Sequence, residues 1–564
     1  MSSPLFPEPP KGIAPTELDV LDQHIDKLNQ HKAKWAKLDL TSRVGLLQKL
    51  QQGVQEVAAD WAGAVAKAAG IDPESTRGGE AWLSGPATTA RNIRLLQEAL
   101  RQNATPKPPK MWTRDDGQRV AKVFPADKFD ALLFTGFTGE VWLEKGKPAT
   151  QGAAYREPNH DGKVALVLGA GNVSSIGPMD VLYKMFVENE VTILKMNPVN
   201  DYLGPFVERA FKVLVDEGYF AVVYGGAEVG MHLTGHDNVD TIHITGSDRT
   251  HDAIIWGAPD KQEENKKNDT PVLNKNISSE LGCVTPLMIV PGKWSDKEIA
   301  FQAEHAASMV AHNGSFNCNA AKVLITAKGW PQREQFTDAL HAALKRIPSR
   351  KAYYPGAQDR YQGFLDQYDD AMPLGERSDE VVPWTVLPNV KAEKGEYALN
   401  TEAFCGVLAE VQIDADDAAV FLEKVIPFVN DEVWGTLSCM ILIHPSTEKA
   451  NKAAFEQALA DLRYGGIGVN VWAGLVYGLV TTTWGAFPGH TLKDIRSGRG
   501  AVHNTFLFDH PEKSIVRAPF KIAPKPAWFA NHQNLRTVGE KLTRFEAAPS
   551  FLKLPGLVGA ALKG

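Results

Sequence analysis

Between residues 163 and 326, short apolar runs alternate with stretches of helical character, and this alternation restricts the fold more than any other feature of the chain. KVALVLGA (163–170), VTILKMN (191–197), FAVVY (220–224) and DTIHI (240–244) are dominated by apolar residues, as suits strands buried on both faces. Helices are predicted between them, one from Pro178 to Glu190 with proline in its first turn and one at about 202–217. Strand–helix–strand order of this kind builds a parallel, doubly wound α/β sheet, whose ligands sit beyond the C-terminal ends of the strands. A nucleotide cofactor is the ligand class it favours. PLMIV (286–290), a helix from about 295 to 311 and KVLIT (322–326) repeat the pattern and predict a second α/β domain.

The flanking segments read differently. Residues 1–15 are Pro-rich and read as irregular, after which Leu18, Leu21, Ile25 and Leu28, then Val44, Leu47 and Leu50, recur at helical spacing within Thr16 to Ala69. Thr105 to Lys110 breaks the pattern. From Phe129 to Ala154, β-prone pieces such as ALLF and EVWLE are separated by glycines, which predicts a hairpin serving as an edge or assembly element. The charged run PDKQEENKKNDTPVLNKN (259–276) reads as a solvated loop insertion.

Composition excludes several classes. Lys and Arg total 60 against 67 Asp and Glu, a formal charge of −7, which gives phosphate-rich nucleic acid no basic patch to select. MSSPLFPEPPKG lacks a basic region followed by an apolar run, and no window approaches the ~18 apolar residues of a membrane span, so a cytoplasmic protein is expected. The 564 residues amount to roughly three or four domain equivalents. The four cysteines, at 283, 318, 405 and 439, show no C-x-x-C spacing, so neither a disulfide framework nor a zinc ribbon is predicted.

Three short motifs carry chemistry. Gly169-Ala-Gly171-Asn-Val-Ser174 reads either as an incomplete dinucleotide fingerprint or as a plain tight turn. Thr245-Gly246-Ser247, after a strand and opening a helix, could hold a pyrophosphate through backbone N–H groups and a hydroxyl. Cys318 stands in the polar loop Asn313-Gly-Ser-Phe-Asn-Cys-Asn-Ala-Ala321, and a lone cysteine is there either a small buried hydrophobe or an exposed thiol. A thiolate nucleophile needs an oxyanion donor and a base, and Glu280 in Ser-Ser-Glu-Leu-Gly282 could be that base.

Taken together, these motifs resemble the aldehyde dehydrogenase superfamily, NAD(P)-dependent enzymes that work through a cysteine thioester. The family's Asn-Gly motif with cysteine five residues after the asparagine matches Asn313, Gly314 and Cys318. Its Glu-Leu-Gly matches Glu280 to Gly282, Thr-Gly-Ser matches Thr245 to Ser247, and Glu-x-Phe matches Glu402 and Phe404. Asn172 falls in the loop where the family carries its oxyanion asparagine. These matches keep the family's order from about residue 160 to 490.

The resemblance implies that Cys318 attacks the aldehyde carbon, that Asn172 and the Cys318 N–H stabilise the oxyanion, and that Glu280 activates the water that hydrolyses the thioester. No metal is implied. For the cofactor it implies Lys195 on the adenosine ribose, Ser247 on the pyrophosphate and Glu402 on the nicotinamide ribose, with Gly225, Gly230, Thr245, Gly246, Leu281 and Phe404 around them. Pro198 stands where the family often has a glutamate for the ribose 2′-hydroxyl. Loss of that carboxylate admits a 2′-phosphate, so the cofactor is NAD or NADP. Cys405-Gly406 and Gly171 also depart from the family and predict an altered pocket.

The implied architecture is a Rossmann-like cofactor domain (1–128 and 155–282), a catalytic α/β domain (283–490), a small β oligomerisation arm (129–154 and 491–520) and a C-terminal extension (521–564). The implied partners are an aldehyde and further copies of the chain, as a homodimer or homotetramer. Trp434, Trp472, Trp484 and Phe487 make the aldehyde apolar or aromatic. Two alternatives stay open, an acyl-transfer relative that hands the thioester to CoA or phosphate, which Glu280 disfavours, and a non-catalytic scaffold. His305 and His312, seven apart, read as structural rather than as a metal or Cys–His pair. The apolar end Phe551–Leu562 is interrupted by Pro555 and reads as docking on the protein itself or a neighbour rather than on a membrane.

Overall fold

The computed structural model describes residues 12–157 and 161–564. Residues 1–11, most of the segment read as irregular, lie outside it. Helices Leu18–Ala36 and Leu40–Ala68 form as their spacing predicts, the second capped by Asp39, which accepts from the Ser42 N–H. Their buried stripe, with Leu21, Ile25, Leu47, Leu50 and Val54, covers a six-stranded sheet.

That sheet runs, edge to edge, Gly498–Arg499, Asn276–Leu281, Thr241–Gly246, Val164–Leu168, Val191–Lys195 and Phe220–Val223, all parallel except the first. Every residue of Val191–Lys195 is buried, which explains its continuous apolar character. The second sheet has eleven strands. Seven are parallel, in the order Thr385–Val390, Val407–Ile413, Val323–Ala327, Pro286–Ile289, Ser438–Leu442, Gly466–Val469 and Pro511–Arg517. Thr138–Leu143, Arg119–Phe124 and Lys110–Thr113 extend it antiparallel at one end.

Several local expectations are corrected. ALLF is not a strand: Asp127 accepts from the Phe129 and Asp130 N–H groups and starts the helix Lys128–Leu133, so a local cap outweighs β-propensity. Nor is EVWLE an open edge. Its strand, Thr138–Leu143, is paired on both sides and carries buried Val141, Trp142 and Leu143, while the edge is Lys110–Thr113. Within 259–276, Pro259–Asn268 is helical rather than loop. Proline in its first turn, Asp260 beside it and Lys266 and Lys267 at its end suit the helix dipole, and Lys266 ties it down through Asp252 at 2.5 Å. The helix expected at 202–217 is two, Gly204–Ala210 and Lys212–Asp216, and the one expected from Pro178 begins at Ile176.

The C-terminal extension docks on its own chain. Helix Leu535–Ala547 crosses Gly79–Trp82 so closely that a Cβ on Gly539 would lie 2.6 Å from the Trp82 Cβ. Its end is fixed by buried charge: Arg91 grips Asp130 at 2.8 and 3.0 Å and Glu546 at 3.0 Å, and Arg94 reaches Glu546 at 2.6 Å. All four side chains are under 10% exposed, so removing one partner leaves an uncompensated buried charge. Arg91→Ala is expected to cost about 3–5 kcal/mol of stability, measured by urea unfolding.

Candidate active site

The helix Asp296–Ala311 ends in a turn where Asn313, Gly314 and Ser315 take left-handed backbone in succession, with φ of 53°, 64° and 68°. Asn and Gly tolerate this region and Ser does so at a cost, so the loop holds strain where the sequence places the thiol. Donors behind the loop take its carbonyls: Lys322 Nζ on Asn317 at 2.7 Å, Thr285 Oγ1 on Cys318 at 2.9 Å and Trp472 Nε1 on Asn319 at 3.0 Å. The backbone N–H of Cys318 has no such partner among the described residues.

Cys283, Cys405 and Cys439 are buried, and Cys318 alone retains exposure. It opens into a cavity of about 600 Å3 shared with Glu280, His312, Asn317 and Asn319. Glu280 arrives on strand Asn276–Leu281, and its Oε1 accepts from the Cys318 thiol at 3.5 Å while its Oε2 lacks a partner. Burial, then the charge of Asp180, pushes the Glu280 carboxyl up to about 7. Burial, then the Glu280 and Glu402 charges, pushes the Cys318 thiol well above its usual range. Neither group ionises readily beside the other: the thiol keeps its proton through neutral pH, while the Glu280 carboxyl titrates near 7.

Asn172 is close but differently engaged. Its Nδ2 donates to the Phe316 carbonyl at 3.0 Å, and its own carbonyl accepts from Asn313 Nδ2 and the Tyr353 hydroxyl. It lines a separate small recess with Glu80 and Arg350, not the Cys318 cavity. The amide therefore anchors the loop that carries Cys318. Arg350 grips both oxygens of Glu80, at 2.9 and 2.8 Å, and Glu80 accepts from the Asn313 N–H at 3.3 Å.

The cofactor candidates divide in two. Lys195 closes the strand Val191–Lys195, and Gly230 stands beside its side chain, where a Cβ would lie 3.9 Å from the lysine Cε in ordinary contact. Gly225, Gly246 and Ser247 stand at the same C-terminal edge of the sheet. Ser247 also caps the helix Asp248–Trp256. This edge fits a dinucleotide. Two side chains do not face it: Thr245 donates inward to buried Asp180 at 2.9 Å, and Leu281 is core, its N–H donating to the Ser497 carbonyl. Glu402 is buried 3.9 Å from Lys322, with its carboxyl pushed up to about 7 chiefly by burial. Phe404 has left-handed backbone, φ 43°, and packs on Tyr354. Gly171 serves packing: a Cβ there would lie 2.8 Å from both Asn197 Oδ1 and Val199 Cβ.

Residues 189–358 match the model of the aldehyde dehydrogenase family, a span that holds Lys195, Thr245–Ser247, Glu280 and Cys318. Over that span the chain is similar to the aldehyde dehydrogenase family. Solved structures share the fold over nearly the full length. The aldehyde dehydrogenase KauB from Pseudomonas aeruginosa is 16% identical, with 89% of this chain and 90% of that chain covered and a TM-score of 0.61. Glyceraldehyde-3-phosphate dehydrogenase GapN from Methanocaldococcus jannaschii, complexed with NADP, is 14% identical over 91% and 98%, with a TM-score of 0.59. The indole-3-acetaldehyde dehydrogenase AldA of P. syringae, complexed with NAD+ and IAA, is 15% identical over 89% and 90%, with a TM-score of 0.58. No curated protein sequence matches the chain.

Sequence reasoning missed Glu80, Asp180, Lys322, Arg350 and Tyr353. Lys322, four residues after Cys318 and opening a strand, is an ionisable residue where the pattern demands burial, and that was a usable signal. Glu80 and Arg350 gave none, being 270 residues apart. His305 stacks on Phe529 at 5.1 Å, and burial pushes it down to about 3, as a structural role predicts. His312, against Trp472 at 4.5 Å, lines the cavity.

A carboxyl whose folded-state pKa exceeds its unfolded value costs stability once the pH passes the unfolded value, and the cost is complete above the folded one. For Glu280 that window runs from 4.5 to about 7. Glu280→Gln is therefore expected to raise the melting temperature at pH 8, and to raise it less at pH 5, by scanning calorimetry.

Proposed function

We propose that this protein oxidises an apolar or aromatic aldehyde to a carboxylate with NAD or NADP, through a thioester on Cys318. The observation that carries the reading is the single hydrogen bond from the Cys318 thiol to a Glu280 carboxylate held near neutrality, in a cavity large enough for substrate. Solved relatives in complex with NADP and with NAD+ support the choice of cofactor. When bound, that cofactor accepts the electron pair of the aldehyde C–H bond. Lys195 and Ser247, with Gly230 beside the lysine, would hold it at the C-terminal edge of the parallel sheet.

The chain's own residues supply the remainder. Glu280 takes the thiol proton as the sulfur bonds to the aldehyde carbon, and the resulting oxyanion meets the Cys318 N–H. The Asn172 amide, one loop away, joins it on releasing the Phe316 carbonyl, since catalytic hydrogen bonds often tighten only with substrate present. Loss of the C–H electron pair leaves the acyl group on sulfur. Glu280, having passed its proton to solvent, then accepts one from the attacking water, and the thioester opens to the carboxylic acid with the thiol restored. Lys322 fixes the loop carbonyls behind the sulfur throughout. Assembly into dimers or tetramers is part of the proposal, with the exposed strand Lys110–Thr113 as the available edge. Among the described residues no helix is long and apolar enough to cross a membrane.

Reduced cofactor, followed spectroscopically over an aldehyde panel with NAD and with NADP, is expected to appear without CoA. Cys318→Ala should abolish it, and retained turnover would remove the thioester. Glu280→Gln should lose at least ~100-fold in steady-state rate. The kcat/KM of wild type should fall as pH drops below about 7, because the base must be ionised.

A further inference from the structure

The cavity that opens over Cys318 is walled at its other end by the C-terminal extension, a segment outside the family-matched residues 189–358. Trp528, Val538, Leu542, Leu557 and Ala561 of that segment line it, facing Leu133 and Phe137. We propose that residues 519–564 form a built-in wall of the substrate channel and shape it for aldehydes carrying an extended apolar chain. This rests on the aldehyde-oxidising reading above and names the substrate class for the same site.

Three observations favour a long apolar chain over a small or charged aldehyde. The aldehyde group needs only the space beside Cys318, Glu280 and Asn317, yet the cavity measures about 600 Å3 and continues to the last helix. Away from Glu280 its inner charges, Arg91 and Glu546, are already matched, since Arg91 pairs with Asp130 and Glu546, and Glu546 also pairs with Arg94. No inner cation is therefore left to select a substrate carboxylate or phosphate. Lys521 and Lys525 also line the cavity, but Lys521 is exposed to solvent and Lys525 sits 4.0 Å from Glu304. The rim, finally, presents exposed apolar side chains beside its lysines: Leu132 lines the cavity while 54% exposed, and Phe551, 57% exposed, packs on Phe129 one helical turn away.

The extension is held in place independently of any ligand. Glu546 is locked to Arg91 and Arg94, and helix Leu554–Ala561 packs on Leu535–Ala547 through Leu557, Ala560 and Val538. The wall is thus preformed, and each methylene that enters it should strengthen binding about fourfold, equivalent to ~0.8 kcal/mol.

The test compares propanal with decanal by two readouts. In wild type, kcat/KM should rise at least 100-fold from propanal to decanal. Leu542→Trp, which fills the channel far from Cys318, should cut the decanal-to-propanal ratio at least tenfold, and Val538→Trp should do the same if Leu542→Trp unfolds. In the Cys318→Ala protein, quenching of the cavity tryptophans Trp472 and Trp528 reports binding without turnover, and decanal should bind at least 100-fold tighter than propanal. Equal binding of the two aldehydes, or loss of both activities in equal proportion in the tryptophan variants, would overturn the channel. Propanal oxidation with flat chain-length dependence would overturn it while leaving the aldehyde dehydrogenase reading intact. Preferential decanal binding without any turnover would support the channel and strike only the reaction.

Discussion

Everything chemical in this molecule depends on one crossing of the chain between two sheets. Strand Asn276–Leu281 belongs to the six-stranded sheet and Pro286–Ile289 to the eleven-stranded one, with four residues between them. Glu280 is therefore delivered at the last point where the first sheet controls it. Cys318 sits just before Val323–Ala327, the strand beside Pro286–Ile289 in the second sheet. The 3.5 Å contact between Sγ and Oε1 exists only because the two sheets meet in this register. The loop's buried bonds, from Thr285, Lys322 and Trp472, are what keep the thiol from drifting within that junction. Rigid scaffolding of a reactive loop is how small displacements are prevented from eroding proximity.

What was legible in the sequence follows from what is local. Val191–Lys195 and Val164–Leu168 announced themselves because strands buried on both faces need continuous apolar runs. Glu280 and Cys318 were legible because each sits in a short motif of its own, readable without knowing what lies opposite. The errors fell where a single capping or packing contact decides. Asp127 turned ALLF into a helix, and the charges at the ends of Pro259–Asn268 turned a presumed loop into one. Asn172 was placed beside the right loop, yet motif position alone does not reveal that its amide is committed to the Phe316 carbonyl. Glu80 and Arg350 were invisible, because an ion pair across 270 residues leaves no mark in either local pattern.

The C-terminal extension was the least interpretable part of the sequence and is among the better-anchored parts of the structure. Its apolar end reads as docking on the protein itself or on a neighbour, and Gly539 against Trp82 and Glu546 against two arginines show the extension docked on its own chain. An apolar segment that folds back over a reactive cavity changes both solvent access and the shape presented to substrate. Excluding water also raises the strength of every charge interaction inside, including the one that sets the Glu280 carboxyl.

Two kinds of buried charge therefore coexist, and they oppose one another energetically. Around Arg91 each charge is matched at 2.6–3.0 Å, so loss of any partner is costly and the arrangement fixes the extension. Around Glu280 the matching is withheld: burial and the like charge of Asp180 oppose its ionisation, and only the Trp484 indole and the Cys318 thiol favour it. An added cation there would relieve that strain and draw the carboxyl back toward its ordinary range, where it would be too weak a base. Buried Lys322, close to Cys318 in sequence, is instead spent on the loop carbonyls and Glu402. The unmatched carboxylate is therefore destabilising for the same reason that the proposed mechanism needs it, and the matched network around Arg91 offsets part of that cost.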